Sequence, residues 1–457
     1  MNSALIAAIA TPAGVGGIAI VRLSGAGAWD CVQRLFTPAK PLCWDNVPGY
    51  SLHYGHLVAD GRVYDEVLLA LMKEDRSYTG EEMAEIQCHG GSVVARDILE
   101  LLLRHGALPA ERGEFTKRAF LSGRLDLSRA EGVRETIEAI GRRDLDFSLR
   151  RLRGDVESPA ARLRDRLLNA IAAAEAVIDF PEDGLDDSTA AALCATAQEI
   201  SAALEHEIAK AERGRLFREG VATAIVGCVN VGKSSLLNAL LGRERAIVTD
   251  LPGTTRDTIE ETVVLGELPL RLIDTAGIRR AQDPVEAEGV ERSRAALRAS
   301  GLILFLFDGH LGFTPADEAL FAELGEAPVI VLANKADLGL RVDTAALAAR
   351  LHCPVLPFSA KDGQGVEELT AQVARFFLGG TLVIDESEWV GNLRHRDSFM
   401  KAREHLQALC DTAADGLPLD LLLVDAYAAV QALGEIGGEN VGEDVLDRIF
   451  SQFCIGK

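Results

Sequence analysis

Residues 221–238 read VATAIVGCVNVGKSSLLN, an apolar run followed by Gly227-x-x-x-x-Gly232-Lys233-Ser234 and the start of an amphipathic segment. The run is short, bounded by Gly220 and Gly227, and rich in Val, Ile and Thr, which predicts a buried strand feeding directly into the glycines. This is a phosphate-binding P-loop pattern. Glycine at the turn lets backbone N–H groups curl around phosphate oxygens, a helix beginning near Lys233 points its positive end at them, and the lysine ammonium can reach the terminal phosphates. Ser234 is placed to ligate Mg²⁺, with Asn230, Val231, Gly232 and Ser235 completing the loop.

Four further stretches follow in an order that gives this loop a ligand. AIVTDLPGTTRDT (246–258) places Thr249, Asp250, Leu251, Pro252, Gly253, Thr254 and Thr255 on a polar loop, and LRLIDTAG (270–277) is a strand-like run ending in Asp274, Thr275, Ala276 and Gly277. Asp274 at the end of such a strand suits the water shell of Mg²⁺, and the Gly277 N–H suits a γ-phosphate. PVIVLANKAD (328–337) ends a third strand in Asn334, Lys335 and Asp337, and PVLPFSAK (354–361) ends a fourth in Ser359, Ala360 and Lys361. A carboxylate at Asp337 accepts guanine N1–H and N2–H₂ together, whereas adenine lacks both donors there. Four such motifs, each after a strand, predict a GTPase on a doubly wound parallel sheet. Ile278 follows Gly277, so the glutamine that orients water in many GTPases is missing. The carboxylates of the next loop, Asp283, Glu286 and Glu288, are the alternatives, and spacing does not choose among them.

At 457 residues the chain is long enough for two to four domains. Hydrophobic residues are 48% and charged residues 25%, ordinary for a globular protein, and no apolar run reaches the roughly 18 residues of a membrane span. The N-terminus lacks the basic region of a signal peptide, so a cytoplasmic protein is expected. Eight cysteines are scattered without a C-x-x-C pair, against both a disulfide framework and a zinc site. A net charge of −22 opposes broad nucleic-acid binding, so an RNA partner would have to dock locally. Residues 104–166 carry 15 Lys+Arg against 11 Asp+Glu, whereas residues 380–457 carry 6 against 14, and a solvated helix face accounts for the former as readily as a docking site.

Pattern changes divide the chain. Residues 1–118 alternate short apolar runs with turns, and SVVARDILELLLRHG predicts a helix ending at Gly106, giving an α+β domain. Its Gly14-x-Gly16-Gly17 lies between two strand-like runs and reads as a tight turn. Residues 119–214 and 380–457 carry helical periodicity, including one stretch running through LSRAEGVRETIEAIGRRDLDFSLRRLRGDV. The α/β segment 215–379 is therefore expected to be inserted in a split helical domain.

Together, NVGKSSLLN, TDLPGTTRD, DTAGIRR and NKAD resemble the TrmE-Era-EngA-like GTPases. TPAGVGGIAIVRLSG, YTGEEMAEIQCHGG, GEFTKRAFLSGRLDL, IDFPED and the terminal FCIGK single out the MnmE (TrmE) family of tRNA modification GTPases within them. The resemblance implies a Ras-like G domain and modification of C5 of the wobble uridine of certain tRNAs. It also implies a flavin-containing MnmG-type partner and a tetrahydrofolate one-carbon donor, 5,10-methylenetetrahydrofolate or a 5-formyl analogue. Carried onto this chain, Glu286 orients the attacking water, and Thr255 joins Ser234 on Mg²⁺. K⁺ replaces an arginine finger among Asn230, Thr249, Leu251 and Thr254. Where the family has proline, this chain has Val229. Folate falls near Arg22, Glu85, Arg124 and Lys457 in an N-terminal domain that also forms a homodimer, and Cys454 places a thiol near that site. An Era- or EngA-like RNA-binding switch in ribosome assembly is the alternative, but no RNA-binding module follows the G segment. No hydrophobic or lipid anchor suggests a membrane role.

Overall fold

The computed structural model describes residues 4–154, 158–179, 186–243, 261–273, 300–324, 327–378 and 390–457. The chain forms two compact units: Met1–Ile137 with Arg151–Ala197 and Glu404–Lys457, and Glu138–Arg150 with Gln198–Arg403.

In the first unit, seven strands form a sheet: β1 (Ile6–Ile9), β2 (Ile18–Ser24), β3 (Phe36–Pro38), β4 (Tyr50–Ala59), β5 (Arg62–Met72), β6 (Met83–His89) and β7 (Leu108–Pro109). Their order is β3-β4-β5-β6-β2-β1-β7, antiparallel except for the β1–β7 pair. Successive strand residues point to opposite faces. Ala19, Val21 and Leu23 of β2 therefore join Leu69, Leu71, Ala84 and Ile86 in a core under the helices Ala28–Leu35 and Ser92–Arg104. The alternate register position, Arg22 opposite Glu85, belongs to the other face. The glycine segment between β1 and β2 forms a turn tied to the end of β6 by the Gly16 N–H on the Gly90 carbonyl, 2.8 Å.

In the same unit the helices Pro159–Asp179 and Leu419–Gly437 pack against each other. Leu163, Leu167, Ile171 and Ala174, three or four residues apart, form the buried stripe of the former. The helical pattern read as one stretch from Leu127 is broken into Leu127–Glu138 and Arg142–Arg153, with Gly141 supplying the carbonyl that starts the second helix through the Leu145 N–H. Glycine there weakens a continuous helix. The Cys194 and Cys410 sulfurs stand 3.0 Å apart, and burial first, then the neighbouring Cys194 thiol, pushes the Cys410 pKa up to about 12. Among the described residues no helix is long and apolar enough to cross a membrane.

The second unit holds a six-stranded sheet of β8 (Val221–Gly227), β9 (Glu261–Leu265), β10 (Leu268–Ile273), β11 (Leu302–Asp308), β12 (Val329–Asn334) and β13 (Val355–Pro357). The order is β13-β12-β11-β8-β10-β9, parallel throughout except for β9 against β10. β11 reads LILFLFD because it is buried on both faces. Leu302, Leu304 and Leu306 enter one core with Leu236, Leu240, Leu369 and Val373, while Phe305 and Phe307 enter the opposite core with Val331, Ala333 and Leu347. Strand order reverses at β8, so the C-terminal ends of β8 and β11 open a crevice of the kind in which doubly wound sheets bind ligands.

Phe305 is fully buried and stacks edge-on against Phe321 at 5.5 Å. Phe305→Ala is expected to cost about 3–5 kcal/mol of local stability, read from hydrogen exchange of the β11 and β12 amides across a urea series. A cost below about 1 kcal/mol would contradict a phenyl packed in this core.

Candidate nucleotide-binding site

The segment from Cys228 to Gly232 leaves the central strand β8 and turns into the helix Lys233–Arg243, so the first helical N–H groups lie at the crevice. Two residues take the left-handed region to make this turn, Asn230 at φ 65° and Gly232 at φ 102°. The Lys233 ammonium lies across the loop, donating to the carbonyls of Gly227 at 2.6 Å and Cys228 at 2.8 Å. Burial lowers its pKa below the ordinary lysine value, since a cation surrounded by protein loses hydration. An anion brought into the loop restores what burial removed. Asn230, Ser234 and Ser235 are exposed around it, whereas Val231 is buried.

Asn334 joins this loop to the next motif. It ends β12, is 2% exposed, donates through Nδ2 to the Val231 carbonyl at 2.7 Å, and accepts the Ala360 N–H through Oδ1 at 3.0 Å. One carboxamide thus holds the P-loop, the Asn334–Asp337 segment and the Ser359–Lys361 segment together. Lys335 adopts φ 64° and places its ammonium 2.7 Å from Asp308 Oδ2. The Asp337 carboxylate is exposed and accepts the Ser359 hydroxyl at 3.2 Å, and Ser359, itself fully buried, also receives the Asp362 N–H. Lys361 is exposed at the end of the same turn.

The arrangement offers a cationic, N–H-lined loop beside a carboxylate, which matches a phosphorylated base bearing two adjacent donors. The exposed Ser234 hydroxyl and Asn230 amide are hard oxygen donors suited to Mg²⁺ and K⁺. Residues 249–255 and 274–277, with Asp283, Glu286 and Glu288, lie outside the described residues. Asp308 was not singled out by motif reading; its position at the end of an apolar strand, in FLFDGH, is the signal that marks it.

The first unit assembles a second polar cluster. Arg22 pairs with Glu85 at 2.8 Å across β2 and β6, donates to the Gly456 carbonyl at 2.9 Å, and stands 5.6 Å and 6.0 Å from the ring centres of Phe115 and Tyr78. The C-terminal segment is tied down by the Phe115 N–H on the Lys457 carbonyl at 3.2 Å and by a bridge between Arg112 and Ile455. Gly456 has φ 90° and a Cβ there would meet the Ile9 carbonyl oxygen at 2.5 Å. Burial first, then Arg22, lowers the Lys457 pKa, with Glu85 and Cys454 acting the other way. Two cations and a carboxylate over aromatic rings fit an aromatic ligand bearing carboxylates. Arg124 instead donates to the Asp75 carbonyl at 3.1 Å, and Cys454 is exposed, with its carbonyl accepting the Gly113 N–H. Sequence motifs contained Tyr78 and Phe115 without indicating that both lie beside Arg22.

Residues 127–454 match the family model described as MnmE helical domain, and residues 5–124 match the one described as GTP-binding protein TrmE N-terminus. The tRNA modification GTPase MnmE of Heliobacterium modesticaldum is 44% identical over 466 residues, covering 99% of both chains. Those of Chloroflexus aurantiacus and Geobacillus kaustophilus are 45% identical over 457 residues and 43% over 458, again covering 99% of each chain.

A Cβ on Gly232 would meet Asn334 Nδ2 at 2.3 Å, at a φ that side chains rarely adopt. Gly232→Ala is expected to weaken binding of a fluorescent GDP analogue by at least about 100-fold. Unchanged affinity would contradict the contact between the loop and Asn334.

Proposed function

Because this chain belongs to the MnmE family of tRNA modification GTPases, we propose that it couples GTP hydrolysis to modification of C5 of the wobble uridine of certain tRNAs. The observation that carries the GTP site is the Asn334 carboxamide, which binds the phosphate loop and the base-side segments at once. Lys233 draws the β- and γ-phosphates into the loop, the backbone N–H groups of Val231 to Ser235 line their oxygens, and Asp337 accepts the guanine N1–H and N2–H₂. Gly277, Thr275 and Ala276 approach the γ-phosphate, and Glu286 orients the water that attacks it as the bond to the GDP oxygen breaks. Ser234 and Thr255 would hold Mg²⁺, with Asp274 suited to its water shell, and Asn230, Thr249, Leu251 and Thr254 would hold K⁺. When bound, these ions neutralise the charge that develops between the β- and γ-phosphates.

In the same reading, the division into segments 1–118, 119–214, 215–379 and 380–457 gives a folate-binding and dimerising N-terminal domain and a helical domain split by the G domain. Arg22, Glu85 and Lys457, which converge in the first unit, hold a tetrahydrofolate one-carbon donor, with Arg124 at its margin and Cys454 supplying a nearby thiol. The cations suit the glutamate tail of folate and the carboxylate suits its pterin N–H groups. A homodimer working in the cytoplasm with a flavin-dependent MnmG-type partner on tRNA completes the assignment. Its product carries a (carboxymethyl)aminomethyl group on the uridine.

Steady-state GTP hydrolysis in matched KCl and NaCl buffers tests the G-domain chemistry. At least about tenfold faster turnover in KCl is expected, as for loss or gain of one charge-stabilising group. Equal rates would remove K⁺ from the site, and no hydrolysis in either salt would contradict the GTPase assignment.

A further inference from the structure

Asp308 ends β11 in register with Asn334 of β12. Its Oδ1 accepts the backbone N–H groups of His310 at 3.0 Å and Leu311 at 3.2 Å, and its Oδ2 accepts the Lys335 ammonium at 2.7 Å. The carboxylate is therefore fixed by two backbone donors before the lysine is added. Its side chain is 13% exposed against 36% for Lys335, so the pair lies at the rim of the crevice with the acid on the inner side. Burial opposes the charge of Asp308, but Lys335 and the two N–H groups outweigh it and hold its pKa below the usual carboxylate range.

The loop after Asp308 also grips the backbone of the base-side segment at both ends. The Gly309 N–H donates to the Asn334 carbonyl at 2.8 Å, the Arg341 N–H to the Gly309 carbonyl at 2.9 Å, and the His310 ring Nδ1 to the Gly339 carbonyl at 3.0 Å. Between these grips stand Lys335 and Asp337, an ammonium and an exposed carboxylate two residues apart in a tight turn. Asp337 is the acceptor that reads guanine in the proposed site. A lysine ammonium released beside it would pair with it in competition with the base, because opposite charges this close in sequence attract even in water.

We infer that Asp308 is a positioning residue for guanine recognition: by anchoring the Lys335 ammonium it keeps the Asp337 carboxylate available to the base and preorganises the Lys335 stem at the rim of the site. The inference rests on the guanine-nucleotide reading above and deepens it. A residue that only supported the fold would change the affinity for all nucleotides alike. Asp308 acts through Asp337, and so selectively on the purine edge that Asp337 touches. Inosine diphosphate, which lacks the 2-amino group, reports that edge.

Equilibrium binding of GDP and of inosine diphosphate to the full chain, with the melting temperature of the nucleotide-free protein recorded alongside, tests this. Asp308→Asn is expected to weaken GDP about tenfold and to shrink the GDP-to-IDP preference severalfold. In a Lys335→Met background, where no ammonium is left to anchor, the same Asp308→Asn change is expected to alter neither quantity. An unchanged preference in Asp308→Asn, or an equal loss in the Lys335→Met background, would overturn the inference while leaving the GTP site standing. A wild-type chain that fails to bind GDP would instead contradict the guanine reading, and the inference with it.

Discussion

The Asn334 carboxamide is the interaction on which the nucleotide site depends. Val231 and Asn334 are 103 residues apart, and neither the P-loop carbonyl nor the Ala360 N–H has a strand ladder to satisfy it where they meet. A buried amide with both ends bonded is stable, whereas either partner left alone would carry the full cost of its lost hydration. That asymmetry makes the three loops settle together. The parallel sheet beneath supplies the stage, because β8, β12 and β13 all end on the same side and each is followed by one of the three segments.

The first unit brings its polar cluster together by a different device. In an antiparallel sheet the pleat sorts residues strictly by parity, so one buried face obliges the alternate residues onto the other. Arg22 and Glu85 meet there because their strands are in register, and the chain terminus is led to them by Phe450 and Phe453, which are buried with Leu127 and Ala130. The apolar anchor fixes the tail, and the positive φ of Gly456 lets the last residues lie close to β1. A charged C-terminal lysine is thereby held in a half-buried position that an untethered terminus would leave for solvent.

What was legible in the sequence follows the range of the interaction. The P-loop, the run ending at Asn334 and the run ending at Pro357 are local: each is a β-rich apolar segment followed at once by its polar residues, and β8, β12 and β13 occupy those runs. The two-sided burial of LILFLFD follows from its unbroken apolar run, although motif reading did not single out that strand. The break at Gly141 was not legible, since arginines and carboxylates around it keep helical spacing on both sides. Nor were the long-range meetings: Asp308 with Lys335, Asn334 with Val231, and Arg22 with Gly456, which require the register of strands or the path of a tail. Family resemblance supplied Arg22, Glu85 and Lys457 where periodicity was silent, and it gave roles to Thr249, Leu251, Thr254, Thr255 and Glu286, which lie outside the described residues.

The most direct measurement is the GDP affinity of Asn334→Ala in the full chain, with circular dichroism to confirm an intact fold. Removing the carboxamide leaves the Val231 carbonyl and the Ala360 N–H without their partner, so the account predicts binding weaker by about 100-fold, the equivalent of losing one or two buried hydrogen bonds. A folded variant that binds GDP as tightly as the parent chain would contradict the claim that this one side chain assembles the site.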